Sequence, residues 1–430
     1  MKILPFNEWS CANQAAAEFY LAEAEKVESR MSLKYVFEAI EHFATIDDFE
    51  ACGNVLLFRV LAADKIENLR GSANLWNNRS RIMAIGERIC DRISGLQKAL
   101  LLIPLGTIYS EIGKSKKALS ISQQIFAITN QIVTNPKHDL GKQMSFARIS
   151  AYSIEGKAYR YLGALPKAET ACKQAYKTAL QSGQHYWQAL AVYGLGAVYL
   201  ENNKPRKALR HFFAAAAFAK FGGIPQELRK EIKQIFRFLC YPRTDRPSEV
   251  QAFLEKHNQN KQGDRIKQFN ILWNVARCFN SMQSSDLAKK ILDLAEGLLE
   301  PEDLTQHSLL NVELANYYIA IRQIKSAREC YQNALEFSLN QGEWSRAYPL
   351  QNYAHLLYEQ GEYSEALKKY QELEVLLKKT EFCSMQVYNY CYLALTILEI
   401  NPQQQQEAEK YLEKARAIAT KFEIVIPFDL

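Results

Sequence analysis

The sequence predicts an all-α protein built as a solenoid of antiparallel helix pairs, and three observations lead to this fold class. A pattern of small and aromatic residues recurs along the chain, its copies are evenly spaced, and turn-forming residues stand at a fixed place in each copy. Apolar residues follow helical spacing almost throughout, and the tail from Glu423 to Pro427 is too short an alternating segment to define a sheet.

The recurring pattern starts with a small residue and continues with an aromatic or bulky apolar residue three places later and alanines near places twelve and nineteen. Its copies start at Gly156, Gly196, Ala276 and Ala315, and a fifth starts at Ala354 with Leu373 in place of the second alanine. Only glycine or alanine lets two crossing helices approach to about 8–10 Å, while the aromatic residue fills the space between neighbouring pairs. The pattern therefore predicts helical hairpins that stack side by side.

Turn signals divide each copy into two helices. Gly113, Gly163, Asn203 and Gly361 each stand seven residues after a small crossing residue, where the first helix of a hairpin should end. The copies are 39 or 40 residues apart, whereas the commonest repeat of this kind has about 34 residues. Each helix is therefore expected to carry about one extra turn.

The chain divides into five predicted segments. A gap of 80 residues between Gly196 and Ala276 leaves room for one degenerate helix pair. The segments are a helical cap with a degenerate repeat (1–95), a first set of hairpins (96–222), a degenerate basic helix pair with a mobile turn (223–263), a second set of hairpins (264–422) and a tail (423–430).

Composition favours a cytoplasmic protein without a metal or cofactor. The chain is 48% apolar and 23% charged, and its longest apolar stretches fall short of the roughly 20 residues that a membrane helix needs. The nine cysteines show no metal-binding spacing and fall mostly on apolar helix faces, where they are expected to be reduced core residues.

The segments Leu195–Tyr199 and Tyr358–Ala366 resemble the tetratricopeptide repeat, and the resemblance extends from about Lys98 to Phe422. It implies a right-handed superhelix whose concave face, lined by the first helix of each pair, binds a peptide or protein segment. The long period also resembles motor-cargo light chains and bacterial peptide-sensing regulators. The lysines with which chaperone-binding members hold a terminal carboxylate are absent from the matching positions.

Candidate binding residues follow from this register, because positions two before, one after and four after the small residue should face the groove. Amide side chains there can pair with a peptide backbone, arginines favour carboxylates, and two aromatic residues would act as apolar anchors. The alternative is a set of ordinary solvated residues. The candidates are Lys157, Arg160, Tyr193, Trp273, Asn274, Arg277, Asn280, Asn316, Asn352, His355 and Tyr358.

A second candidate surface is basic. Between Lys204 and Arg246 the chain carries eleven basic residues against three acidic ones. The candidates at helical spacing are Arg229, Lys230, Lys233 and Arg237. Such a patch can attract an acidic partner or nucleic acid, although a solvated basic face is the commoner outcome.

These observations predict a non-enzymatic scaffold or adaptor that binds a peptide or protein in the concave groove, with no membrane insertion. The basic region adds an acidic partner as one option. The seven histidines do not pair at ligand spacing, and no nucleotide-binding or nucleophile motif occurs. One alternative is a peptide- or ligand-responsive regulator. Another is a nucleic-acid-associated protein that uses the basic region 204–246.

Overall fold

The computed structural model describes residues 6–26, 32–56, 79–132, 139–221, 265–339, 341–424 and 426. These residues form eighteen α-helices and no strand, which confirms the predicted fold class. The first nine are α1 (Phe6–Lys26), α2 (Ser32–Thr45), α3 (Phe49–Val55), α4 (Arg79–Cys90), α5 (Gly95–Glu111), α6 (Ser115–Gln131), α7 (Asp139–Tyr161), α8 (Leu165–Gln181) and α9 (His185–Glu201). The others are α10 (Pro205–Phe221), α11 (Arg265–Ser281), α12 (Ser285–Glu296), α13 (Leu304–Ala320), α14 (Ile324–Phe337), α15 (Glu343–Glu359), α16 (Tyr363–Leu377), α17 (Cys383–Ile400) and α18 (Gln405–Phe422).

The chain forms two compact units. Unit 1 consists of Met1–Ile108 and Ser120–Ala151, and unit 2 consists of Tyr109–Leu119 and Tyr152–Leu430. In unit 1 the helices α1 and α2 form a hairpin, and α4 packs so closely on α5 that a Cβ atom at Gly86 would lie 2.9 Å from Leu105 Cδ2. Unit 1 therefore has a helical core of its own.

Unit 2 contains the hairpins that the small residues predict. A Cβ atom at Gly156 would lie 2.8 Å from Cys172 Sγ on α8, and one at Gly196 would lie 2.7 Å from the Phe212 ring on α10. The matching alanine Ala276 and its counterparts in the later hairpins are fully buried. Small residues are therefore required at the crossings, because the partner helix already occupies the space of a larger side chain.

Four of the first helices end at a glycine or asparagine in the left-handed conformation. Gly113, Gly163, Asn203 and Gly361 have φ values from 49° to 80°. At the first of these turns, Lys114 N donates to Tyr109 O at 2.8 Å, which satisfies a carbonyl that the helix end leaves unpaired. The predicted turn positions are confirmed.

Two further turns use residues that the sequence pattern does not mark. Gln283 (φ 58°) and Arg322 (φ 62°) stand at the same place in their hairpins and make the same backbone hydrogen bonds. A side chain with a Cβ atom is strained there by about 1 kcal/mol, yet the turn keeps its geometry because stacked neighbours fix both helices.

We expect Gln283→Gly and Arg322→Gly each to raise the free energy of unfolding by about 0.5–1 kcal/mol, because glycine adopts the left-handed conformation without strain. Urea unfolding followed by circular dichroism measures the change. Gln332→Gly, at an exposed position inside α14, is the control and should lower stability by about 1 kcal/mol. A loss of stability at the turns similar to that of the control would contradict the prediction.

The hairpin α9–α10 packs directly on the hairpin that begins with α11. Helix α11 contacts both α9 and α10, and Asn274 Nδ2 donates to Tyr193 Oη at 2.7 Å. Phe212, Phe269 and Trp273 share one core cluster across this contact. The two hairpins are therefore consecutive in the stack. The predicted basic helix pair of residues 223–263 lies outside the described residues.

Unit 2 also contains a contact between hairpins that are far apart in the chain, which we call the closing contact. Glu381 N donates to Gly113 O at 2.7 Å, and the Glu381 carboxylate accepts a hydrogen bond from Lys116 N at the start of α6. The ring of Phe382 lies edge-on to that of Tyr161, with centroids 5.0 Å apart. Gly163 is covered by Ile424, since a Cβ atom at Gly163 would lie 2.6 Å from Ile424 Cγ1.

Candidate functional site

The first helices of unit 2 follow one another along a single surface, which we call the inner face. Helix α9 contacts α11, α11 contacts α13, α13 contacts α15, and α15 contacts α17. The side chains at positions two before, one after and four after the small residue lie at these contacts, so that groups on one first helix meet groups on the next.

A buried carboxylate lies at the centre of the inner face. The side chain of Glu313 on α13 is only 2% exposed. Its Oε1 accepts a hydrogen bond from Tyr348 Oη at 2.8 Å, and its Oε2 accepts from Asn280 Nδ2 at 3.0 Å and Asn316 Nδ2 at 3.1 Å. Arg277 Nε lies 3.6 Å from Oε1 and supplies the opposite charge. Three donors and one cation offset the loss of hydration that burial imposes on the carboxylate.

Arg277 is held between aromatic rings. Its guanidinium carbon lies 4.8 Å from the Trp273 ring centroid and 5.4 Å from that of Tyr348, and Nη1 donates to Asn274 Oδ1 at 3.1 Å. Burial alone would lower the pKa of Arg277, but Tyr348 and Glu313 outweigh it and raise that pKa. The guanidinium therefore stays charged on the inner face.

Two further ion pairs continue this arrangement. Arg160 Nε on α7 lies 3.3 Å from Glu201 Oε1 on α9, and Lys157 Nζ donates to Glu111 on α5. Burial raises the pKa of the Glu201 carboxyl, and Arg160 followed by Arg277 opposes that rise. We call the three pairs Lys157–Glu111, Arg160–Glu201 and Arg277–Glu313 the inner charge network.

The inner face changes character at α15 and α17. Here the side chains are aromatic: the ring of His355 lies 4.9 Å from that of Tyr392, and the ring of Tyr388 lies 4.5 Å from the same tyrosine, between centroids. Tyr358 meets Tyr392 edge-on at 5.3 Å. We call His355, Tyr358, Tyr388 and Tyr392 the aromatic end.

Six of the predicted groove residues form one connected network: Tyr193, Trp273, Asn274, Arg277, Asn280 and Asn316. Lys157 and Arg160 lie on the preceding first helix, in the inner charge network. His355 and Tyr358 belong to the aromatic end, and Asn352 donates to Tyr348 O within its own helix.

Trp273 differs from the expectation of an open apolar anchor. Its side chain is buried, and its indole N–H donates to Leu309 O at 3.1 Å. The next first helix, α13, thus satisfies the polar atom of this buried tryptophan, and the face of its ring contacts Arg277. The predicted basic residues Arg229, Lys230, Lys233 and Arg237 lie outside the part of the chain that the structure describes.

The sequence analysis missed the carboxylates that pair with the predicted cations. Glu111 and Glu201 both stand five residues after the small residue of their hairpins, and Glu313 stands two before Ala315. A carboxylate whose position in its repeat matches that of a cation on a neighbouring first helix predicts an ion pair between the two. The sequence therefore already contained an indication of these pairs.

No family model matches the sequence, and none of the curated proteins does so. Solved structures match in fold. A Rap protein complexed with Competence and Sporulation Factor is 16% identical with a TM-score of 0.53, over 88% of this chain and 98% of its own. A Signal Transduction ATPase with Numerous Domains with a tetratricopeptide repeat sensor, from Pyrococcus horikoshii, is 15% identical with a TM-score of 0.45, over 95% of this chain and 54% of its own.

The chain has a tetratricopeptide-repeat-like fold. Its crossing glycines and alanines and its hairpin turns are those of the tetratricopeptide architecture, with a period of about 40 residues. None of the described helices of this tetratricopeptide array combines the length and the apolar character needed to cross a membrane.

Proposed function

We propose that the inner face of unit 2 binds an extended segment of a peptide or protein, and that the chain acts as a non-enzymatic scaffold or adaptor. The inner charge network carries this proposal. Ion pairs that are withdrawn from water contribute little net stability, and well-packed apolar residues of similar volume often serve a fold better. Arg277–Glu313 is withdrawn from water in this way, Arg160–Glu201 is partly so, and Lys157–Glu111 is about one-third exposed. Because all three lie in register on successive first helices, we expect them to serve recognition.

The chemistry of the inner face suits a peptide. Carboxylates, cations, amides and tyrosine hydroxyls alternate across it, and an extended peptide presents backbone donors and acceptors that such groups can satisfy. First helices spaced by about 8–10 Å place α7 and α15 about 36 Å apart, which an extended chain of about 11 residues spans. A segment of that length would pass Lys157, Arg160, Glu201, Arg277 and Glu313 of the inner charge network.

The relative with the same fold was solved with a ligand, Competence and Sporulation Factor. At 16% identity this likeness concerns the fold alone. The ligand-responsive regulator remains the second candidate, because a ligand on the inner face would act on a unit whose distant hairpins are already joined by the closing contact, and would favour or oppose that contact. The cytoplasmic location stays a prediction from composition.

A charge exchange within one pair tests the proposal. Lys157→Glu combined with Glu111→Lys keeps the ion pair and reverses the charges that a ligand meets. We expect this double variant to keep its stability in urea unfolding and to lose at least about tenfold in affinity for peptides selected by the wild-type chain from a random library of about 12 residues. Fluorescence anisotropy with the labelled peptides measures the affinity.

The matched control exchanges a pair of similar exposure on the second-helix side, Arg328→Glu with Glu362→Arg. This control should bind the selected peptides as the wild-type chain does. Equal peptide affinity in the wild-type chain and the inner-face exchange variant would contradict binding at the inner charge network, and failure of the library to yield any bound peptide would contradict the peptide proposal itself.

A further inference from the structure

We propose that the aromatic end binds a positively charged side chain, a lysine or arginine, of the segment that lies on the inner face. This inference rests on the proposed function and adds the chemistry of one ligand residue and its place. It commits to a cation because aromatic rings and carboxylates meet at this point of the array.

The aromatic end presents several ring systems to one place. Tyr358 meets Tyr392 edge-on, and Tyr388 lies tilted against the same ring with 4.5 Å between centroids. Tyr370 on α16 stacks on Tyr392 with 5.7 Å between centroids. Tyr370 is fully buried, whereas His355, Tyr358 and Tyr388 are only half-buried. The half-buried rings are therefore the ones that a ligand can contact.

Two carboxylates lie on the helices that carry these rings. Glu359 and Glu399 are exposed residues near the ends of α15 and α17. Burial raises the pKa of the Tyr358 hydroxyl, and both carboxylates raise it further. Glu359 also acts on Tyr388 in the same direction. The local field at the aromatic end is therefore negative, and it favours a cation over an anion.

His355 adds a neutral ring to this surface. Burial lowers the pKa of its imidazole, and Glu359 opposes that shift without reversing it. The imidazole is therefore uncharged at neutral pH and does not repel a cation.

Three other aromatic groups of the inner face already carry a cation of the chain itself. Arg277 lies over Trp273 and Tyr348, and Arg160 lies over Tyr161 with its guanidinium carbon 5.1 Å from the ring centroid. By contrast, Glu359 and Glu399 form no ion pair with any described residue. Rings and carboxylates together match a lysine or arginine side chain from a ligand, since a cation over a ring gains from both.

Peptide selection tests the inference. From a random library of about 12 residues, the wild-type chain should select peptides with an excess of lysine and arginine at one position. The variant Glu359→Gln with Glu399→Gln should lose that excess and bind the selected peptides about tenfold more weakly. Glu329→Gln with Glu336→Gln, two exposed carboxylates on α14, removes the same charge elsewhere and should keep both the excess and the affinity.

A titration with Nα-acetyl-arginine amide provides a second measurement that does not depend on a peptide. With tyrosine rings labelled for nuclear magnetic resonance, we expect shifts of the Tyr358 and Tyr388 signals in the wild-type chain. The Glu359→Gln, Glu399→Gln variant should lose these shifts.

The outcomes separate this inference from the proposed function. Selected peptides that show no cationic excess, or an excess that the carboxylate variant keeps, would overturn the cation site while peptide binding stands. If the library yields no peptide, the titration decides: ring shifts support a cation site without a peptide groove, and their absence overturns the inference.

Discussion

Replacement of Glu313 by alanine is expected to lower the free energy of unfolding by about 3–5 kcal/mol, the range found when one partner of a buried ion pair is removed. The substitution would leave Arg277 without its carboxylate and would leave the donors of Tyr348, Asn280 and Asn316 without their acceptor. Each of these groups would stay buried without its partner, so the loss of stability exceeds that caused by removing one exposed ion pair.

Tryptophan fluorescence measures this effect locally. Trp273 and Trp344 lie edge-on at 6.4 Å between centroids, beside Arg277, so their emission should change at a lower urea concentration than in the wild-type chain. Hydrogen exchange of α11 and α13 should accelerate in parallel. A local measurement is needed because a repeat array does not unfold in one step.

The double variant Glu313→Leu with Arg277→Met is the control. It removes both charges and should regain about half of the lost stability or more, as in other buried pairs replaced by apolar residues. If Glu313→Ala unfolds at the urea concentration of the wild-type chain, the carboxylate does not support the inner face in the way its contacts indicate.

Gly113→Ala is expected to destabilise unit 2 by about 2–5 kcal/mol, and much more than the same change at Gly361. Both glycines have φ values close to 74°, so the backbone strain of an alanine, about 1–2 kcal/mol, is the same. At Gly113, however, the new Cβ atom would lie 2.7 Å from Thr380 Cβ and 3.1 Å from the Phe382 ring, whereas nothing lies within 4 Å at Gly361. Overpacking adds about 1–3 kcal/mol at Gly113 alone.

The difference between the two variants therefore isolates the closing contact. Hydrogen exchange of the Glu381 amide, which donates to Gly113 O, should accelerate in Gly113→Ala and stay unchanged in Gly361→Ala. Equal losses of stability in the two variants would mean that the closing contact contributes nothing.

Most of the fold could be predicted from sequence because each crossing and most turns need a particular residue type. Gly156 and Gly196 stand where a Cβ atom would overlap the second helix. The turns at Gln283 and Arg322 escaped prediction, since stacking by neighbouring hairpins overrides the residue's own preference there. The closing contact left no local signal at all, because it joins residues from opposite parts of unit 2.

The candidate site was predicted less completely. Helical register placed Arg277 and Asn280 on the inner face correctly, as their contacts with Glu313 show. Helical register alone does not determine whether a cation faces solvent or a carboxylate on the next first helix. That depends on the offset between adjacent hairpins along their axes. Tyr388 belongs to the aromatic end because α17 packs on α15, where its ring lies 6.0 Å from that of His355 between centroids, and spacing within one helix does not predict this contact.

The closing contact also sets an order of events during biosynthesis. Lys116 and Glu381 are 265 residues apart, so the ribosome must release nearly the whole chain before they can meet. Neighbouring hairpins can fold as they emerge from the ribosome. The closing contact joins residues far apart in the chain, so it forms last, and its formation limits the rate of the final folding step. A nascent chain halted before α17 would thus contain folded early hairpins but would lack the closing contact.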